Sequence, residues 1–198
     1  MENEWTYGNA SIELVVKVEE PRGDVESLSK LTDVLGTYTT AYKSSGSARC
    51  TNVATGCSHL DGITLYPGEQ LSVSSEITPF SVANGYQMAG SYLNGQVVDS
   101  LGGGICQVST TLYNAVLLAE LQVDERSNHS MIVNYVDPSA DAAIAESSGK
   151  DFKFTNNLEN PIYIEGVTSP NKTITFTIYG IETRPENRLD SQVLFSLV

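Results

Sequence analysis

Three consecutive glycines run straight into a long apolar segment at residues 101–121, and this junction constrains the fold more than anything else in the chain. Gly102, Gly103 and Gly104 free the backbone for positive φ and for close approach of another group. Ile105, Val108, Leu112, Ala115, Val116 and Ala119 then recur at helical spacing, and Leu117 and Leu118 widen the stripe. A helix that is apolar on most sides is a buried one. The spacing therefore predicts a central helix from about Ile105 to Leu121, with Cys106 in its first turn. Free amides and the helix dipole at that place lower a thiol pKa and can hold a developing oxyanion, so Cys106 reads as a nucleophile. Its bland reading is a small buried hydrophobe.

His129 opens the next apolar run, where Met131, Val133 and Tyr135 alternate with Ile132 and Asn134 as in a strand. A cysteine at the start of a buried helix and a histidine on the following strand can meet when helix packs on sheet, as in papain-like thiol enzymes. The chain has only two histidines, so the choice of partner is narrow. The alternative is a surface histidine beside Arg126.

The remaining pattern is read as α+β, a mostly antiparallel sheet packed around the one buried helix that starts at Cys106. Ile12 to Glu19 alternates as a strand, and Asp24 caps a short helix through Leu35 that Gly36 stops. Thr37 to Tyr42 reads as a strand and Ala48 to His59 as a helix. Ile63–Tyr66 and Leu71–Val73 flank a Pro67-Gly68-Glu69 turn. Asn94-Gly95 marks a hairpin between Tyr92-Leu93 and Val97-Val98. Phe152, Phe154, Ile162, Ile164, Ile174, Phe176 and Ile178 alternate along later strands. Cys50 and Cys57 lie on one helix face about 10 Å apart by helical rise, beyond the ~7 Å a disulfide spans, so no bridge is expected. With His59 they form only a weak metal-ligand pattern; no metal or cofactor is expected.

The formal charge of −13 argues against nucleic acid and anionic membrane as partners. No apolar run reaches membrane-spanning length, and Met1-Glu2-Asn3-Glu4 is no signal peptide. The chain begins abruptly, as a segment of something longer would. Residues 1–35 read as the tail of a preceding domain or an extension, 36–181 as the domain, and 182–198 as an extension or linker.

Gly102-Gly103-Gly104-Ile105-Cys106-Gln107-Val108-Ser109-Thr110-Thr111-Leu112-Tyr113-Asn114-Ala115, Arg126-Ser127-Asn128-His129-Ser130, Asp141-Ala142-Ala143-Ile144, Asp151-Phe152-Lys153-Phe154 and Pro161-Ile162-Tyr163-Ile164 resemble the VanW domain family. Asn52-Val53-Ala54, Asp61-Gly62, Pro67-Gly68-Glu69 and Asn84-Gly85-Tyr86 match it upstream, so the likeness runs from about Gly36 to Gly180. The family belongs to bacterial cell envelopes and was first named among glycopeptide (vancomycin) resistance clusters. Some clostridial members are understood to be cysteine L,D-transpeptidases. The resemblance implies an extracytoplasmic protein, wall-associated or membrane-anchored at full length, that acts on peptidoglycan stem peptides. Cys106 would attack the carbonyl of the third stem residue, His129 would serve as base, and an amine of a second stem would take the acyl group. With water as acceptor the same pair is an L,D-carboxypeptidase. Asp141 fits the family motif as the group that orients His129, with Asp151 or a backbone carbonyl as alternatives. A tight hairpin at Pro138 would keep Asp141 away from the imidazole, whereas a wide loop would return it. Gly103, Gly104, Gln107, Ser109, Arg126 and Ser130 complete the expected substrate and oxyanion set, against an ordinary capping or surface role for each polar side chain. The rival from another class is a non-catalytic wall-binding module in which Cys106 is merely buried.

Overall fold

A computed structural model of the chain describes residues 23, 25–93 and 96–185. The fold is α+β, and among the described residues its strands pair antiparallel in three separate sheets. A short helix α1 (Val25–Leu28) leads into β1 (Asp33–Ala41), followed by α2 (Ser47–Leu60), β2 (Thr64–Leu65), β3 (Gln70–Ser72) and α3 (Val73–Ile77). After one tight turn at Val82–Asn84 come the hairpin strands β4 (Met88–Leu93) and β5 (Gln96–Leu101). The central helix α4 (Ile105–Leu118) is next, then β6 (Gln122–Glu125), β7 (Lys153–Thr155), β8 (Ile162–Thr168) and β9 (Thr173–Gly180). The largest sheet has the order β1-β9-β8-β2, the second β3-β7-β6, and among the described residues β4 pairs only with β5.

The inward face of the large sheet explains why the chain closes around α4. Ile162 and Ile164 on β8 and Ile174, Phe176 and Ile178 on β9 are all 0 % exposed. Each such side chain contributes about 1.5–3 kcal/mol of apolar burial. Val108, Leu112, Ala115 and Val116 of α4 are also completely buried in the same cluster, as are Val53 and Leu60 of α2. Gly36 belongs to this contact. It does not stop a helix: α1 ends at Leu28, and Val34 and Leu35 already belong to β1. A Cβ at Gly36 would lie 2.4 Å from the Ala115 carbonyl oxygen and 2.6 Å from the Ala119 nitrogen. The missing side chain lets the bulged start of β1 press directly on the end of α4.

The expected strand at Ile12–Glu19, the Asp24 cap, the Asn94-Gly95 turn and the apolar run near the C-terminus lie outside the described residues. The strands flanking that turn pair from Leu93 with Gln96 to Met88 with Leu101. A second expectation is overturned: Met131–Tyr135 is not a strand but an irregular loop with bends. Of its apolar side chains Val133 is buried, whereas Ile132 is 83 % exposed. Among the described residues no neighbouring strand pairs with its backbone, so the alternation records a loop lying on the domain. Among the described residues no helix is long and apolar enough to cross a membrane.

Candidate functional site

The three glycines serve two ends. Gly102 and Gly104 take φ of +76° and +104°, which other residues reach only with strain. A Cβ on Gly103 would fall 2.2 Å from the Ala89 carbonyl oxygen, so the loop is pressed against β4. Asn52, fully buried on α2, clamps it there. Its Nδ2 donates to the Gly103 carbonyl (3.0 Å) and the Gln87 carbonyl (2.9 Å), while its Oδ1 accepts from the Gln87 amide (2.7 Å). The loop delivers Cys106 in the first turn of α4, as the spacing predicts. Among the described residues the amides of Gly104 and Cys106 have no hydrogen-bond acceptor, while Gly103 donates to the Ser100 carbonyl (3.3 Å). Helix starts leave such amides open.

The thiol is partly buried and donates to the Ile144 carbonyl (3.3 Å). Burial pushes its pKa up; the Ile144 hydrogen bond, then Arg49 and Lys150, work against the rise, and the nearby charge of Asp141 adds to it. The depressed pKa expected from the helix start is therefore not the resting state. Desolvation of the thiolate outweighs the Ile144 contact and the nearby cations.

His129 is held from the other side. A wide loop, not a tight hairpin, brings Asp141 back, and the polar stripe of α4 is what fixes it. Ser109 Oγ donates to the Ala142 carbonyl (2.6 Å), Thr110 Oγ1 accepts from the Ala142 amide (3.0 Å), and Asn114 Nδ2 donates to the Ala140 carbonyl (2.8 Å). With both neighbours stitched to the helix, the Asp141 carboxylate reaches His129. Its Oδ2 accepts from the His129 amide (2.7 Å) and lies 2.5 Å from Nδ1. Arg126 braces the same carboxylate: Nη2 donates to Oδ1 (3.2 Å) and to the Ser139 carbonyl, and Nε donates to the Asp141 carbonyl (both 2.7 Å). Its guanidinium also sits 5.5 Å from the Tyr113 ring centroid. Burial works against ionisation of Asp141, yet the His129 hydrogen bonds and charge, with Arg126, hold its pKa below the ordinary value. An ionised partner at Nδ1 makes that nitrogen the donor and leaves Nε2 of a neutral ring as the acceptor.

Cys106 and His129 line one cleft of about 1100 Å³, walled also by the β4–β5 hairpin and by residues 41–49. Among the described residues no hydrogen bond joins the thiol to the imidazole, whose ring-nitrogen partner is Asp141. The other expected site residues separate. Gly104 and Gln107 line the cleft, but Ser109, Arg126, Gly103 and the exposed Ser130 do not. Ser109 and Arg126 act through Ala142 and Asp141. Gln107 is 1 % exposed and spends its amide nitrogen on Thr40 Oγ1 (2.9 Å) and the Ala41 carbonyl (3.1 Å). Asp151 is elsewhere, accepting from Ser72 Oγ (2.6 Å) and the Ser74 amide (2.8 Å) at the start of α3. His59 stacks on Tyr86.

Two cleft residues escape sequence reasoning. Tyr135, read as the end of a strand, presents a phenol that burial and then Cys106 push well above its ordinary pKa, while the Thr110 side chain and Arg49 pull the other way. Arg49 stands in the first turn of α2, three residues before Asn52, and its only sequence signal is that basic residues are few: Lys and Arg together number 11.

A family model described as VanW like protein matches residues 48–179. Among curated proteins, the uncharacterized protein YoaR of Bacillus subtilis (strain 168) is 35 % identical over 158 residues, covering 79 % of this chain and 52 % of that protein. The chain thus spans about half the length of that relative. No solved structure matches.

Proposed function

The chain belongs to the VanW-like family, and from that premise we propose a cell-envelope acyl transferase in which Cys106 is the nucleophile and His129 the base, acting on peptidoglycan stem peptides. One observation carries the proposal: a carboxylate-oriented imidazole opens on the same cleft as a helix-start cysteine. Family membership suggests a cell-wall-related protein; the chemistry rests on the site.

The cycle begins with the thiol leaving the Ile144 carbonyl as substrate enters. Nε2 of His129 takes the proton from Sγ, and sulfur attacks the carbonyl of the third stem residue. The amides of Gly104 and Cys106 are the unpaired donors available to the oxyanion. Collapse breaks the C–N bond, and the imidazolium gives its proton to the departing amine of the terminal D-alanine. The amine of a second stem then attacks the thioester and hands its proton to Nε2. The C–S bond breaks, the proton returns to sulfur, and the new amide links two third positions. Asp141 keeps Nδ1 protonated throughout, and the His129 hydrogen bonds, with Arg126, keep Asp141 ionised.

A stem tetrapeptide supplied without acceptor amine should leave a tripeptide acyl group on Cys106, detectable by intact mass, and His129→Ala should slow its formation by about 100- to 10,000-fold. A wall-binding module is the second reading, favoured by the raised thiol pKa and the lack of a thiol–imidazole bond. It predicts peptide binding with no adduct at any pH.

A further inference from the structure

Among the described residues Arg49 is held at the cleft by neutral groups alone. Nη1 donates to Ser45 Oγ (2.9 Å) and Nη2 to Gln107 Oε1 (3.0 Å). Gln107 cannot turn away, because its amide nitrogen is fixed by Thr40 and Ala41. Five guanidinium N–H groups less these two leave donors over. Among the described residues no carboxylate pairs with Arg49, in a chain whose net charge is −13. Glu146 is the only described acidic residue lining the cleft; it is exposed and makes no ion pair with Arg49. The stem of Arg49 lies across Gly104: a Cβ there would sit 2.7 Å from Arg49 Cγ and 3.0 Å from Nε. Gly104 thus clears the space the arginine occupies, two residues before the thiol.

We infer that Arg49 is the substrate-binding residue that recognises a free carboxylate one residue beyond the scissile carbonyl, the C-terminal carboxylate of the acyl-donor peptide. The inference rests on the acyl-transfer reading and deepens it by giving the donor's terminus a receptor. A guanidinium beside a carboxylate forms charge-assisted, often paired hydrogen bonds, and an unpaired arginine in an acidic protein supplies the charge such a ligand needs. Arg126, a basic member of the expected substrate set, is occupied by Asp141 and Ser139. Recognition of the terminus would also confine the reaction to the last peptide bond of a stem.

The test is binding, measured calorimetrically on a Cys106→Ala background so that turnover does not enter. Two ligands are compared: a stem tetrapeptide with a free C-terminal carboxylate and the same peptide as its C-terminal amide. The acid should bind on the order of 10- to 100-fold more tightly. Arg49→Gln should abolish the preference by weakening the acid and leaving the amide unchanged, and Arg49→Lys should restore part of it. Because Arg49 also ties Ser45 to Gln107, the glutamine variant could fail to fold. Arg49→Lys then decides, since it must reduce the acid preference while holding the amide affinity. Equal binding of acid and amide, a preference that survives either substitution, or no binding of either peptide would overturn the assignment. An acid preference set by Arg49 without dimer formation by the intact protein would instead keep the carboxylate site and remove the transferase.

Discussion

The Cys106 thiol has a raised pKa because burial costs the thiolate more than the Ile144 hydrogen bond and the charges of Arg49 and Lys150 return. Alkylation by a small neutral electrophile, followed peptide by peptide to separate Cys106 from Cys50 and Cys57, should therefore rise with an apparent pKa above that of a free thiol. A value below a free thiol's would mean that the dipole prevails. Asp141 runs the opposite way. Its folded-state pKa is lowered, so its carboxylate stabilises the fold fully above the ordinary carboxylate value (~3.9). That contribution is lost as pH falls through the lower folded value. The stability gap between the intact protein and Asp141→Asn should be widest near neutral pH and close in acid. A gap that does not change with pH would show that the carboxylate's charge is not what His129 and Arg126 hold. Cys106 was legible as a helix-start residue because glycine and helical period mark it. Arg49 and Tyr135 were not, because a single arginine or tyrosine carries no period and gains its meaning only from what lies across the cleft.

At the scale of elements, the glycine loop and the Ala140–Ala142 segment are the two parts that place the chemistry, and both are fixed by buried polar contacts rather than by their own propensity. Gly103→Ala puts a methyl 2.2 Å from the Ala89 carbonyl oxygen and must push the loop off β4. Overpacking of this kind costs about 1–3 kcal/mol, which urea denaturation should read as a lower midpoint at unchanged slope. An unaltered midpoint would mean that the loop does not bear on β4. The central helix was readable from its apolar stripe, yet the same helix carries Ser109, Thr110 and Asn114, completely buried, and these decide where Asp141 goes. From the residues alone Ser109 looked like a substrate contact. The fold turns it toward Ala142 because a segment without a strand partner needs other donors and acceptors for its backbone. For the same reason the alternation at Met131–Tyr135 misled: period two reports which side chains face inward, not whether a neighbouring strand exists.

For the molecule as a whole, α4 is gripped by the large sheet on one side and by the Asp141 loop and α2 on others, so the thiol and the imidazole enter one cleft from separate parts of the chain. Arg184 seals the far end, where Nη1 donates to the Leu118 carbonyl (2.9 Å) and Nη2 to the Leu35 carbonyl (2.7 Å). In the proposed reaction this cleft transfers an acyl group from one stem peptide to another through Cys106. Incubation with tetrapeptide muropeptides, followed by mass analysis of the products, tests it most directly. Dimers linked between third-position residues must form with the intact protein and vanish with Cys106→Ala. Intact muropeptides after incubation with the folded protein, or dimers that persist without the thiol, would contradict it.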